Sequence, residues 1–185
     1  MAILKKQELN KSVYDLAIER LHNVFDQFDT VSVSFSGGKD STACLNLTLE
    51  VARERGRLPL DVVHWDEEAI PYQTEEYVRR VAELPDVNLR WLCVPVIHRN
   101  ACTRSSPYWY PWALEDKDKW VRPLPPEAIT KIDNYNSDVV GGRLTIPFMA
   151  PLLYPVEKYG STACIMGLRA DESLTRYRAV SQRTV

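Results

Sequence analysis

The sequence predicts an α/β fold in which an open parallel sheet carries helices on both faces. Three observations lead there. Residues 31–35 alternate apolar and polar, run into a glycine-rich polar loop, and are followed by apolar residues at helical spacing. A second apolar run, Leu60–Trp65, follows that helix at the interval a parallel crossover needs. A third run, Ser161–Met166, ends like the first in a short polar segment that opens on glycine.

The first unit organises the others. Val31, Val33 and Phe35 alternate with Ser32 and Ser34, a strand pattern; Ser36-Gly37-Gly38-Lys39-Asp40-Ser41 follows, and then Ala43, Cys44, Leu47 and Val51 at helical spacing. A strand, a tight loop and a helix start make a geometry that holds phosphate. Glycines let the backbone approach an anion, successive N–H groups point at it, and the helix N-terminus adds partial positive charge. The loop is not a Walker A motif: Val33 stands where that motif places its first glycine, and Asp40 where it places Ser or Thr after the lysine.

The elements around the loop follow from periodicity. Val13, Leu16, Ala17, Leu21, Val24, Phe25 and Phe28 give an amphipathic helix within Gln7–Phe28, with Ser12 or Asn10 as a cap. The helix after the loop is expected over Ser41–Gly56, with Gly56 as its C-cap and Arg53, Arg55 and Arg57 at the negative end of its dipole. The second strand ends in His64-Trp65-Asp66-Glu67-Glu68. Ligands lie beyond the carboxyl ends of strands in such sheets. Asp66 and Glu67 are therefore candidates to meet a nucleotide or its Mg²⁺, Glu68 less so. The alternative is a solvated acidic turn leading into a helix over Tyr72–Leu84. His64 reads as structural, and His22 as a packing or surface residue.

Val87–Val96 reads as a third strand. From His98 to Leu144 no long periodic run occurs, and the span reads as an ordered insertion with one short helix near Pro126–Tyr135. Arg99, Arg104, Lys117, Lys119 and Arg122 interleave with Tyr108, Trp109, Tyr110, Trp112 and Trp120. Such a mixture can hold bases and phosphates, or pack upon itself; as a unit it would serve as a lid, a substrate wall or a protein-docking surface. Asn136–Arg143 reads as a loop. Leu144–Tyr159 is apolar but carries Pro147, Pro151 and Pro155, so any helix there is short or broken. Ser161–Met166 is expected as a buried strand. After it come Gly167-Leu168-Arg169-Ala170-Asp171-Glu172-Ser173 and a basic segment with Arg176, Arg178 and Arg183.

Bulk properties narrow the class. A chain of 185 residues with 45% hydrophobic content supports one domain over 1–185 with a sizeable core. A net charge of −2 argues against a protein that coats nucleic acid. Cys44, Cys93, Cys102 and Cys164 form no C-x-x-C pair, so neither zinc nor an iron–sulfur cluster is supported. Cys44, Cys93 and Cys164 are expected to be buried and Cys102 exposed. The pattern suits a reducing cytoplasm, and no apolar run reaches membrane-spanning length.

Ser36–Ser41 resembles the pyrophosphate-binding PP-loop, SGGxDS, of the ATP pyrophosphatases. Gly167–Ser173, with Arg176 or Arg178 trailing, resembles the GxRxxES…R segment of the phosphoadenosine phosphosulfate (PAPS) reductase-like family. Both motifs belong to the adenine nucleotide alpha hydrolase superfamily, and the resemblance covers most of residues 31–175. It implies a Rossmann-like sheet and an adenine nucleotide, ATP or a sulfonucleotide (PAPS or APS), with Mg²⁺. Ser34, Ser36, Gly37, Gly38, Lys39, Asp40, Ser41, Asp66, Gly167 and Arg169 would meet the nucleotide. Arg169, Asp171, Glu172, Ser173 and Arg176 would meet the second substrate or the phosphate tail. Asp40, Asp66 and Glu67 would serve the metal, and Lys39, Asp40 and Arg169 the chemistry.

Three departures turn the expectation away from sulfonucleotide reduction. The chain carries no C-terminal Cys-Gly segment, its loop is intact, and Asp66-Glu67-Glu68 replaces the usual Asp-Thr-Gly. The expected reaction is cleavage of ATP to AMP and pyrophosphate with adenylyl transfer to an acceptor. The alternatives are a sulfonucleotide reductase or sulfotransferase, and a non-catalytic nucleotide-binding regulatory module. A protein partner is expected at residues 98–144 or at the C-terminal end, where a longer native chain is also open.

Overall fold

The structure, a computed structural model, describes residues 10–100, 102–132, 145–169 and 172–181. The first helix, α1 (Val13–Gln27), starts at a capping box. The Ser12 hydroxyl accepts from the Asp15 N–H at 3.1 Å, and the Asp15 carboxylate accepts from the Ser12 N–H at 3.2 Å. The predicted stripe holds from Leu16 to Phe28, with Leu21 and Phe25 buried, whereas Val13 at its start is exposed.

The chain then alternates: β1 (Thr30–Ser34), α2 (Lys39–Glu54), β2 (Leu60–Trp65), α3 (Tyr72–Ala82) and β3 (Val87–Leu92). With β6 (Thr162–Met166) these strands form one parallel sheet in the order β3-β2-β1-β6. Strand order runs outward from β1 to β3 on one side, whereas β6 lies on the other side of β1. The order therefore reverses between β1 and β6, which is where doubly wound sheets leave a crevice at the carboxyl ends of their strands.

Both sheet faces carry helices, as a parallel sheet requires. Leu60 and Val62 of β2 point into a core shared with Val31, Val33 and Phe35 of β1 and with Leu45, Leu49 and Val78 of α2 and α3. Val63, one residue out of phase, points into a second core with Leu92, Met149 and Tyr154. That second core lies under α4 (Ile146–Leu153) and α5 (Val156–Tyr159), two short helices separated by Pro155 and with Pro151 inside the first. Arg90 fixes them to β3. Its guanidinium donates to the Leu153 carbonyl at 3.0 Å and to the Tyr159 hydroxyl at 2.7 Å.

Several sequence expectations change. β6 is not a buried strand: it has β1 on one side and no strand on the other among the described residues, and Cys164 and Met166 are exposed. Cys164 thus departs from the expected buried set, whereas Cys93 is buried, Cys44 half-buried and Cys102 exposed. β3 ends at Leu92 rather than Val96. The Cys93 N–H turns to the Ile129 carbonyl at 3.0 Å, and the Ile129 N–H donates to the Trp91 carbonyl at 2.7 Å. The same bonds explain why no helix forms near Pro126–Tyr135 over its described part. Pro126-Glu127 is a turn, and Ile129 then extends the free edge of β3 in parallel. The loop expected over Asn136–Arg143 lies outside the described residues.

The segment that begins at His98 packs on itself and on the end of β2. It contains a two-residue ladder, β4 (His98–Arg99) with β5 (Tyr108–Trp109), and a 3-10 helix, Leu114–Lys119. Trp112 is 2% exposed and meets the Trp120 ring edge-on with centroids 5.2 Å apart. What holds the segment is the acidic corner after β2. The Arg122 guanidinium reaches both Asp66 oxygens, at 2.6 and 2.5 Å, and stacks over Trp112 at 5.0 Å. The Trp91 indole donates to Asp66 at 2.7 Å. The Glu68 carboxylate accepts from the Trp112 N–H at 2.9 Å and the Val121 N–H at 3.1 Å.

Burial alone would raise the Asp66 carboxyl, but the hydrogen bonds from Arg122 and Trp91 outweigh it and hold it below its ordinary value. Removing its charge in Asp66→Asn should cost about 3–5 kcal/mol, the usual result of stranding one partner of a buried ion pair. Because the folded value is the lower one, this stabilisation is present above the unfolded carboxylate value of about 3.9 and is lost as pH falls through the folded value. Urea denaturation should show the full gap between parent and variant at neutral pH, narrowing only in acid below that value.

Candidate functional site

Residues 36–41 bridge the carboxyl end of β1 and the start of α2, and hydrogen bonds within the loop set its shape. The Ser41 hydroxyl donates to the Gly38 carbonyl at 2.9 Å and accepts from the Ser36 N–H at 3.2 Å. It lies 3.1 Å from the Ser36 hydroxyl. Gly37 has φ +78°, and a Cβ there would lie 2.8 Å from a methyl of Thr74 on α3. Glycine is therefore required by backbone and by space. No side chain caps the first turn of α2. Its amide N–H groups and the positive end of the dipole face the crevice between β1 and β6.

The second motif closes on the first. A Cβ on Gly167 would lie 2.8 Å from the carbonyl carbon of Asp40 and 3.0 Å from the Ser41 nitrogen. Glycine at this position lets the end of β6 come to backbone contact with the start of α2. The two strand ends enclose a groove of about 590 Å³. Of the residues singled out from sequence, Ser34, Ser36, Gly38, Lys39, Asp40, Ser41, Glu67, Gly167, Glu172 and Arg176 line it. Gly37 stands behind it against α3.

The charges at the groove form one chain of pairs, linked through Arg169, which does not itself line the groove. The Lys39 ammonium lies 3.0 Å from Asp40, and Arg169 Nε lies 3.5 Å from the same carboxylate. Arg169 also reaches Glu172 at 3.4 Å, and Glu172 pairs with Arg176. The hydrogen bond from Lys39, with the charges of Arg169 and Arg176, holds the Asp40 carboxyl below its ordinary value. Lys39 and Arg169 are mostly exposed, with side chains 76% and 59% accessible. They are thus free to turn toward an incoming anion.

Two expected site residues have other work. Asp66 does not face the groove: its side chain is fully buried and its oxygens serve Arg122, Trp91 and the Glu68 N–H. The expected nucleotide and metal roles of Asp66 give way to a structural one. Ser173 caps α6 (Leu174–Ser181), its hydroxyl accepting from the Arg176 N–H at 3.1 Å. Asp171 lies outside the described residues. Glu67 keeps its place at the groove, with His98 Nδ1 of the β4–β5 ladder 3.7 Å from its carboxylate. His64 is structural as expected: it is 1% exposed, and its Nδ1 lies 2.8 Å from the Phe35 carbonyl.

The groove also has an apolar side that the motifs did not announce, made by Phe35, Trp65, Ile146, Met166 and Leu168. Trp65 and Met166 sit at strand ends next to the polar motifs. Ile146 comes from α4, distant in sequence. Among the described residues no group of three or more His, Cys, Asp or Glu is placed to hold a metal ion, and no helix is long and apolar enough to cross a membrane.

The close approach at Gly167 is testable. Gly167→Ala should destabilise the fold by about 1–3 kcal/mol through overpacking against backbone. Gly38→Ala, whose Cβ meets nothing nearer than the Ser36 hydroxyl at 3.4 Å, should cost less than about 1 kcal/mol, the cap penalty alone. Equal losses in chemical denaturation would show that backbone contact between the two strand ends is not the constraint.

Comparison with known proteins accords with this geometry. The model of the phosphoadenosine phosphosulfate reductase domain matches residues 30–184. The uncharacterized protein YbdN of Escherichia coli (strain K12) is 33% identical over 179 residues, which are 95% of this chain and 43% of that protein. The chain thus spans less than half the length of that relative. The matched span begins with β1 and includes both strand ends that form the groove. The chain belongs to the phosphoadenosine phosphosulfate reductase domain family, a PP-loop family of the adenine nucleotide alpha hydrolase type.

Proposed function

We propose that the groove binds an adenine nucleotide and cleaves ATP to AMP and pyrophosphate, passing the adenylyl group to an acceptor. The observation that carries this reading is the intact Ser36–Ser41 loop, its uncapped helix start opposed by cations from beyond β6. The phosphates would lie against the first turn of α2, with Lys39 beside them. Arg169 and Arg176 would leave their carboxylate partners to neutralise charge on the phosphate tail. Such a site accelerates reaction by positioning and by fixed charge rather than through a protein nucleophile.

Mg²⁺ fits this groove as an ion that arrives with the nucleotide. It usually takes one or two carboxylates plus phosphate oxygens, and Asp40 and Glu67 are the carboxylates within the groove that we assign to it. The four cysteines are all free, which suits the reducing cytoplasm in which we place the protein. The segment from His98 onward would form one wall of the site or dock a partner, Tyr108 on β5 being 49% exposed. The second reading, handling of a sulfonucleotide, is favoured by the name of the matching family model.

Lys39→Ala should leave the thermal midpoint unchanged and weaken Mg-ATP binding about tenfold or more, which is about 1.4 kcal/mol in calorimetry. A variant that binds as tightly as the parent would remove the loop from the phosphate site. Arg169→Ala should lower the rate of Mg²⁺-dependent pyrophosphate release by about a hundredfold, the scale of one lost electrostatic donor. In the same assay adenosine phosphosulfate should compete more weakly than ATP; tighter binding without pyrophosphate release would favour the second reading.

A further inference from the structure

Of the three acids after β2, only Glu67 lines the groove, and the chain on both sides of it is held. Before it, the Asp66 N–H donates to the Leu92 carbonyl at 2.9 Å, and the Asp66 side chain is fully buried. After it, Glu68 has φ +63° and its N–H donates to the Asp66 carboxylate at 2.7 Å. The Glu68 carboxylate accepts from the Trp112 and Val121 N–H groups. A residue other than glycine keeps such a left-handed conformation only where its surroundings over-determine it. The backbone at residue 67 is thus fixed, and what the groove receives depends on the Glu67 side chain. That side chain is 55% exposed, and its one ion-pair partner among the described residues is His98, whose Nδ1 lies 3.7 Å from Oε1.

His98 is held more firmly than the acid it faces. It begins β4 in register with Trp109 of β5, and the two rings lie with centroids 4.9 Å apart and planes tilted by 32°. The His98 side chain is 17% exposed. Its Nε2 is sealed from solvent and has no hydrogen-bond partner. Any flat ring would pack against the tryptophan, and a nitrogen left unpaired in the interior is a cost. What histidine adds at this position is Nδ1, next to Glu67. The gap is wider than the roughly 3.2 Å limit of a hydrogen bond. An exposed glutamate closes it by turning about its own side-chain bonds, and contacts of this kind tighten when a ligand arrives.

We propose that His98 is a positioning residue: it holds the Glu67 carboxylate in place for the Mg²⁺ that arrives with the nucleotide, and so makes the β4–β5 ladder a support of the metal site. The proposal rests on the Mg-nucleotide reading of the groove. His98 touches neither metal nor nucleotide. It acts as the hydrogen-bonding partners of metal-binding carboxylates do, by fixing their orientation, and loss of such a partner weakens metal binding by about 10–100-fold. The aromatic segment is then more than a wall. Through one ring stacked on Trp109, it sets how the groove presents its carboxylate.

The test uses Mn²⁺, read by electron paramagnetic resonance of the free ion, with α,β-methylene ATP, which resists cleavage between its α and β phosphates. Protein is in excess, so that the nucleotide is bound. His98→Phe keeps a ring on Trp109 and removes both nitrogens. It should raise the Mn²⁺ Kd of the protein–nucleotide complex about tenfold or more and leave the Kd of the nucleotide in EDTA unchanged. His98→Asn, whose amide nitrogen stands near the position of Nδ1, should restore most of the loss. In a Glu67→Gln background, His98→Phe should weaken Mn²⁺ no further, because the two residues act through one contact. Should the phenylalanine variant unfold, His98→Gln, whose amide reaches the position of Nε2 instead, takes its place with the same expectation. An unchanged Mn²⁺ Kd in His98→Phe overturns the proposal and leaves the nucleotide reading standing. An equal loss in EDTA overturns it too, since His98 would then serve only the wall of the groove, as does a full further loss in the Glu67→Gln background. A parent complex that holds Mn²⁺ no more tightly than α,β-methylene ATP alone fells the assignment of the metal to Glu67 and the role of His98 with it.

Discussion

The ion pair between Asp66 and Arg122 is the constraint on which the upper rim of the sheet depends. Asp66 is the first residue after β2, and its side chain is fully buried. A buried carboxylate is tolerated only when charge and hydrogen bonds replace its water. Here Arg122, the Trp91 indole and the Glu68 N–H do so. In satisfying it, Arg122 brings the whole Trp112–Trp120 cluster onto the end of β2 and also reaches Glu75 of α3 at 3.3 Å. Trp65 and Glu67 are its sequence neighbours. Their positions at the groove follow from a residue that itself never touches it.

The groove is assembled from two chain segments that come together through the absence of side chains. Gly37 lets the loop pass under α3, and Gly167 lets β6 end against the backbone of α2. Neither residue supplies chemistry. Together they fix how far the cations after β6 stand from the loop after β1. Charge then balances internally, Lys39 and Arg169 sharing Asp40 while Arg169 and Arg176 share Glu172. The site is thus held near neutrality by pairs exposed enough to rearrange.

Much of this was legible in the sequence because it is local. The alternation in β1, the apolar run of β2 and the Ser36–Ser41 loop each declare themselves within a few residues, and β2 begins and ends as the periodicity predicts. Asp66 departs from the sequence expectation for the opposite reason. Its partner is 56 residues away, and three consecutive acids do not say which of them turns inward. The turn at Pro126 has the local spacing of a helix start, because the end of β3, which takes up Ile129, is invisible from that spacing. Cys164 has an apolar neighbourhood in sequence, yet its exposure depends on which helices cover β6.

The two margins of the sheet are unlike. On the β3 side, Ile129 lies beside the end of the strand, accepting from the Cys93 N–H and donating to the Trp91 carbonyl. On the β6 side, no strand follows among the described residues. A strand margin is a template for further backbone pairing, and on the β3 side Ile129 occupies only its end, at Leu92. A strand added on the β6 side, whether from this polypeptide or another, would arrive beside Cys164 and Met166. It would settle next to the phosphate loop's own wall, so that recruitment to that margin and the shape of the groove are mechanically the same event.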